Sequence, residues 1–305
     1  MKTYRYFFRN CVYIAILIAT IWNLSNSTNI EDNQSQPIVT VEFNQQLSNK
    51  EEVLKEEYTR KKKTSFKKNA YGVESQESLT NSSSTSEKSV TILMYHYTSE
   101  KNETYMSVPK EKFREQMKYL KENGYTVIGL DELYSCYNEG AAIPDNAVII
   151  TFDDGYANNY LYAYPILKEL GFKATIFMIT SKINEPQYLT ERQLKELDKN
   201  GIAIESHTVS HPQLGHLTYL KQLEELKNSK LTLESILGRK IKYIAYPYGE
   251  FNKDTVIIAN DLDYKMGVTT VPSKAKKSNG LYTLNRIAVR APIDMLHFKT
   301  LLNKK

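Results

Sequence analysis

From Val90 onward the chain alternates short β-branched, apolar runs with segments of helical period, and no other feature restricts its fold as strongly. Residues 90–96, 125–128, 147–152, 172–179, 202–205, 242–245, 264–269 and 284–289 read as strands. Residues 110–123 read as a helix, with Phe113, Met117 and Leu120 on one side and a stop at Gly124. Further helices are expected over 131–138, 158–170 (kinked at Pro165), 191–200, 217–237 and 253–261, with a last one starting near Pro292. Seven or eight strands alternating with helices predict an α/β fold, a (β/α) barrel that is either complete or distorted with a gap. An open doubly wound sheet is the alternative, but no glycine-rich phosphate loop follows the early strands. In both architectures a ligand site lies beyond the C-terminal ends of the strands.

The residues suited to chemistry fall there: His96 after the first strand, Asp153 and Asp154 after 147–152, His207 after 202–205 and Tyr248 after 242–245. Successive strand side chains point to opposite faces, which sets Asp153 and Asp154 up for different tasks, one holding a metal and the other handling a proton. Taken alone, Asp153-Asp154-Gly155 fits a turn and helix cap equally well. His207-Thr208-Val209-Ser210-His211 carries two imidazoles four residues apart, which on a helical turn or in a tight loop can face one ion; the alternative is a polar surface pair. Two His and one Asp leave coordination positions open, a pattern of catalytic rather than structural ions.

Thr151-Phe152-Asp153-Asp154-Gly155 followed by His207-Thr208-Val209-Ser210-His211 resembles the first two motifs of the NodB-type polysaccharide deacetylases, carbohydrate esterase family 4. The likeness covers at least residues 147–305. It implies Asp153 as general base and Asp154, His207 and His211 as ligands of a divalent metal, usually Zn2+. Tyr246-Pro247-Tyr248-Gly249 is similar to the third motif, which implies that the Tyr248 main-chain N–H stabilises an oxyanion. Family members often have an Arg two residues before this Pro; Ala245 stands here, so Arg286, with Arg290 second, is expected to orient the base. Leu296-His297 resembles the last motif, which makes His297 the general acid, against a plain surface residue. Tyr95-His96 resembles the start of deacetylases of poly-β-1,6-N-acetylglucosamine, which places His96 at the substrate pocket, against a core histidine. The resemblance therefore implies metal-dependent N-deacetylation of N-acetylglucosamine units in an extracellular polysaccharide, poly-N-acetylglucosamine or peptidoglycan, with release of acetate. O-acetyl ester hydrolysis and non-catalytic cell-wall binding are the alternatives. A glycoside hydrolase would need two acids about 5–9.5 Å apart across the sugar bond, which adjacent aspartates beside a His pair do not suggest.

The start of the chain bears on compartment. Lys2, Arg5 and Arg9 precede an apolar run over 11–24, shorter than the ~20 residues of a comfortable span, so residues 1–27 are expected to be a signal peptide or a membrane anchor. Residues 28–89 read as a disordered polar linker, with a helix around 50–62 and a basic block, Arg60 to Lys63 with Lys67 and Lys68, that is either solvated or rests on an anionic envelope surface. The deacetylase domain is expected over 90–305. Of two cysteines, Cys11 lies in the export segment, so Cys136 has no partner for an internal disulfide. An exported chain with a net charge of +5 is not expected to meet nucleic acid; the expected partner is an N-acetylated polysaccharide, and the chain is expected to act as a monomer.

Overall fold

Strands β1 (Ser89–Tyr95) and β2 (Ala147–Phe152) are buried along nearly their whole length, so each needs cover on both faces, which a parallel sheet wrapped in helices supplies. The computed structural model describes residues 87–101 and 103–303, all within one unit. The expected export segment, the linker up to residue 86 with its helix and basic block, and Cys11 lie outside the described residues.

The strand order is β1, β2, β3 (Ala174–Met178), β4 (Ile202–Ser206), β5 (Tyr243–Ala245) and β6 (Met266–Val268), all parallel. A last strand, β7 (Ile287–Ala288), pairs in parallel with β1, and the chain entering it bridges to β6 through Val268 and Leu284. Thr126–Val127, within the strand expected over 125–128, pairs in parallel with β2 off this path, so eight parallel strands form a strongly curled, distorted (β/α) barrel rather than an open doubly wound sheet. Its closing seam is thin. Strands expected over 264–269 and 284–289 shrink to three and two residues, because the curl lets β7 touch its neighbours only briefly.

Period-2 alternation divides the core. Leu93, Tyr95, Val148, Ile150 and Phe152 face outward against Phe113, Met117 and Leu120 of helix α1 (Lys110–Glu122). Val90, Ile92, Ala147 and Ile149 face inward with Phe177, Ala245, Val268 and Leu284. Helix α2 (Leu130–Glu139) adds Leu130, Leu133 and Tyr137 to this inner cluster and so plugs the N-terminal end of the barrel. Thr151 and Asp153 continue the inward register of β2 toward the opposite end.

The helix expected over 158–170 begins instead as a π-turn, Asn159–Ala163, before α3 (Tyr164–Leu170). Pro165 has no N–H for the regular ladder, so the expected kink takes the form of a widened turn. Helices α4 (Glu191–Lys199), α5 (Tyr219–Leu237) and α6 (Lys253–Asp261) lie close to their expected bounds. Helix α7 (Met295–Asn303) starts three residues after Pro292, where the Asp294 carboxylate accepts the His297 N–H at 2.8 Å and serves as its cap. Three short strands had no sequence signal: Tyr97–Ser99 paired with Ser107–Pro109, and Ala275–Lys276 antiparallel to β1.

Candidate active site

Asp153 follows β2 directly, its N–H bonded to Tyr95 O at 2.9 Å, and it projects into the C-terminal mouth of the barrel. Its two carboxylate oxygens each accept a 2.7 Å hydrogen bond from Arg286, one from Nη1 and the other from Nη2. Arg286 is completely buried, and its remaining donors reach Thr269 O at 2.9 Å and Thr151 Oγ1 at 3.2 Å. This bidentate pair locks the carboxylate in one orientation. Burial by itself would push the Asp153 pKa up, but the Arg286 guanidinium, through its charge and its two hydrogen bonds, outweighs it, and the pKa comes down to about 2. Arg290, the second candidate for this task, lies over the Tyr105 ring at 5.1 Å instead.

Strand alternation would send Asp154 to the other face. It does not apply, because β2 ends at Phe152 and Asp154 adopts a left-handed backbone (φ 72°) that turns its carboxylate into the same mouth. Gly155 follows at φ 84°, where a Cβ would lie 2.0 Å from Met178 Sδ, so this turn requires glycine. Asp154 Oδ1 is 3.4 Å from Nε2 of both His207 and His211, yet it is buried and hydrogen bonded to neither. The ligand atoms of Asp154, His207 and His211 all lie within 4.8 Å of one another.

The donor set fits a divalent cation. His207 Nδ1 sits 2.8 Å from Ala245 O, so Nδ1 carries the proton and Nε2 presents its lone pair toward Asp154. An unpartnered carboxylate oxygen facing an imidazole lone pair is unfavourable when nothing lies between them, and a cation resolves the conflict. Ala245, at the position where family members often have an Arg, thus contributes its carbonyl, and Arg286, just before β7, supplies the guanidinium.

The His207–His211 segment is a loop rather than a helical turn, with left-handed residues at Thr208 (φ 67°) and His211 (φ 62°). Thr208 Oγ1 accepts the His211 N–H at 3.1 Å. Tyr248 sits in a turn over Pro247–Gly249 with φ 59°. Its carbonyl accepts from Thr270 Oγ1 at 3.1 Å, and its ring packs edge-on against His211 with centroids 4.6 Å apart. His96 lies within reach of the Asp153 and Asp154 charges, which pull its pKa up, though burial prevails and lowers it. Its Nδ1 is buried without a partner, and Asn159 Nδ2 holds its carbonyl at 2.8 Å.

His297 is not brought to this cluster. It lies on the exposed side of α7, with Nδ1 2.9 Å from Asp294 Oδ1, so a Leu-His pair on a terminal helix was too weak a signal to place a general acid. Two contributors had not been singled out. Thr151 stands two residues before Asp153 on the same strand face, which could have marked it; Asn159 carries no local signal.

Removing one partner of the Arg286–Asp153 pair strands a buried charge. Arg286→Met is expected to cost about 3–5 kcal/mol in urea unfolding. A carboxylate whose pKa falls from 3.8 to about 2 on folding contributes stability above pH 3.8 that disappears toward pH 2; the variant should lose that dependence.

The polysaccharide deacetylase family model matches residues 141–267. YxkH of Bacillus subtilis (strain 168), named as a polysaccharide deacetylase, is 42% identical over 198 residues, which cover 65% of this chain and 70% of that protein. Poly-β-1,6-N-acetyl-D-glucosamine N-deacetylase of Staphylococcus aureus (strain N315) is 29% identical, over 64% of this chain and 72% of that one. Among solved structures, Streptococcus pyogenes deacetylase PplD in complex with acetate superposes with a TM-score of 0.68 at 33% identity, covering 71% of this chain and 99% of that one. The fold and site thus define a hydrolase of the deacetylase class. This chain belongs to the polysaccharide deacetylase family, of the NodB or carbohydrate esterase family 4 type.

Proposed function

We propose that this chain hydrolyses the N-acetyl group of N-acetylglucosamine units in a polysaccharide outside the cell, using a divalent cation held by Asp154, His207 and His211. The observation that carries the reading is the convergence of these three side chains beside a carboxylate locked by Arg286. Two nitrogens and one oxygen as donors suit Zn2+. When bound, the cation supplies Lewis acidity toward a carbonyl and toward water.

The chain's own residues divide the remaining work. Asp153, ionised and fixed by Arg286, is placed to take a proton from the attacking water, since each oxygen keeps a free lone pair beyond its Arg286 bond. The Tyr248 N–H, in a turn beside His211, is the candidate donor to the developing oxyanion. The departing amine needs a proton, and His96 replaces His297 as the candidate to deliver it, because it lies within the field of both carboxylates and its buried Nδ1 has no protein partner; it would pass on a proton taken up during the reaction. Expected placement at the cell envelope rests on the N-terminal segment; among the described residues no helix is long and apolar enough to cross a membrane.

The name of the Staphylococcus aureus relatives supports poly-β-1,6-N-acetylglucosamine as the first polymer to test, with peptidoglycan second. The full chain, incubated with each polymer, is expected to release acetate and new primary amine in equal amounts, and to stop when a chelator is added. Acetate without amine would identify an O-acetyl esterase. Neither product from either polymer would overturn the reading.

A further inference from the structure

We infer that Glu225, on the α5 face beside the His loop, is a positioning residue that holds His207 and His211 convergent on one cation. The inference rests on the metal reading above. The Glu225 carboxylate accepts three hydrogen bonds from a two-residue stretch: Val209 N–H at 2.8 Å and Ser210 N–H at 2.9 Å to Oε2, and Ser210 Oγ–H at 2.7 Å to Oε1. Bonds from a carboxylate to consecutive main-chain N–H groups are charge-assisted and constrain the orientation of both peptide planes. Those peptides lie midway between the two imidazoles.

The loop needs such a restraint. Thr208 and His211 both sit at positive φ, which is strained for residues bearing a Cβ and persists only where surrounding contacts impose it. From the other side, Thr180 N–H donates to Thr208 O at 3.1 Å and Ser181 N–H to Val209 O at 3.0 Å. Glu225 therefore closes a clamp in which the carbonyls of 208 and 209 and the N–H groups of 209 and 210 are all engaged. Helix α5 is itself tied to β4 through a buried 2.8 Å bond between Ser229 Oγ and Ser206 Oγ, one residue before His207. The clamp thus refers both imidazoles to the barrel wall. Glu225 touches neither imidazole nor the reacting atoms; it acts through the backbone that carries them.

The test compares Glu225→Ala with Glu225→Gln in the full chain. Glutamine can still accept both N–H bonds through its Oε1 and donate to Ser210 Oγ, so it preserves the clamp without the charge. Co2+ binding to metal-free protein, followed by its visible absorption, is expected to weaken about 10- to 100-fold in Glu225→Ala, the usual cost of losing an outer-shell partner. Glu225→Gln should bind within about threefold of the parent, since the bonds and not the charge are what count. Hydrogen exchange at Val209 and Ser210, read on the metal-free proteins, should be slow in the parent and in Glu225→Gln and fast in Glu225→Ala. Parent-like Co2+ affinity in Glu225→Ala would overturn the inference. So would equal losses in the two variants, which would make the effect one of charge. A parent protein that binds no Co2+ while showing the exchange pattern would instead sink the metal reading and leave Glu225 as a loop anchor only.

Discussion

Asp153→Asn is expected to slow acetate release by about 10²- to 10⁴-fold, the range lost when a group that carries a proton in the transition state is removed. An amide cannot accept the proton from water at neutral pH, yet it occupies the same space, so the shape of the mouth is kept. The substitution also has a structural cost. Both carboxylate oxygens receive a guanidinium N–H at 2.7 Å, and an amide nitrogen would turn one of these contacts into donor against donor. Arg286 is fully buried and would be left without its counter-charge, which is worth about 3–5 kcal/mol when one partner of such a pair is removed. Rates must therefore be taken at a temperature where circular dichroism shows the variant folded. A folded variant with the parent rate would remove Asp153 from the role of base.

His207→Ala is expected to abolish the response to divalent ions. In the parent, Zn2+ at about 100 times its Kd should raise stability by about 2.7 kcal/mol, because the ion binds the folded and not the unfolded chain. In the variant that increment should vanish, since Asp154 and His211 alone form a poor site. Ala245 O would also lose its donor, at a cost of about 1–3 kcal/mol in the metal-free protein, so the quantity to compare is the shift on adding Zn2+ and not the absolute melting temperature. An unchanged shift would mean that the ion binds elsewhere. If the parent shows no shift either, the three-residue cluster is not a metal site.

Much of this arrangement is legible in one dimension where the cause is local. The apolar run over Ala147–Phe152 ending in Asp153-Asp154-Gly155 marks a strand and the turn beyond it, because strand period and turn chemistry act over a few residues. The spacing of His207 and His211 marks a pair able to share an ion for the same reason. Local rules stop holding where their elements end. Alternation does not carry over to Asp154, because the strand ends at Phe152, and α7 begins after Asp294 rather than at Pro292, because the Asp294 carboxylate supplies the cap. The two-residue Leu296-His297 pattern carries no information on packing, and α7 leaves His297 facing solvent.

By itself, then, the amino-acid order determined the alternation of strands and helices, the end of the barrel where chemistry collects, and the four side chains of the Asp-Asp and His-His motifs. Only the tertiary structure decided between Arg286 and Arg290 as the guanidinium that meets Asp153, 133 residues away, and showed that Glu225 of α5 accepts the Val209 and Ser210 N–H groups of the His loop. It also decided that a left-handed backbone turns Asp154 to the same side as Asp153. The physical reason is that periodicity and turn preference are properties of neighbours along the chain, whereas the pairing of a buried charge depends on which strands the curl of the sheet brings together.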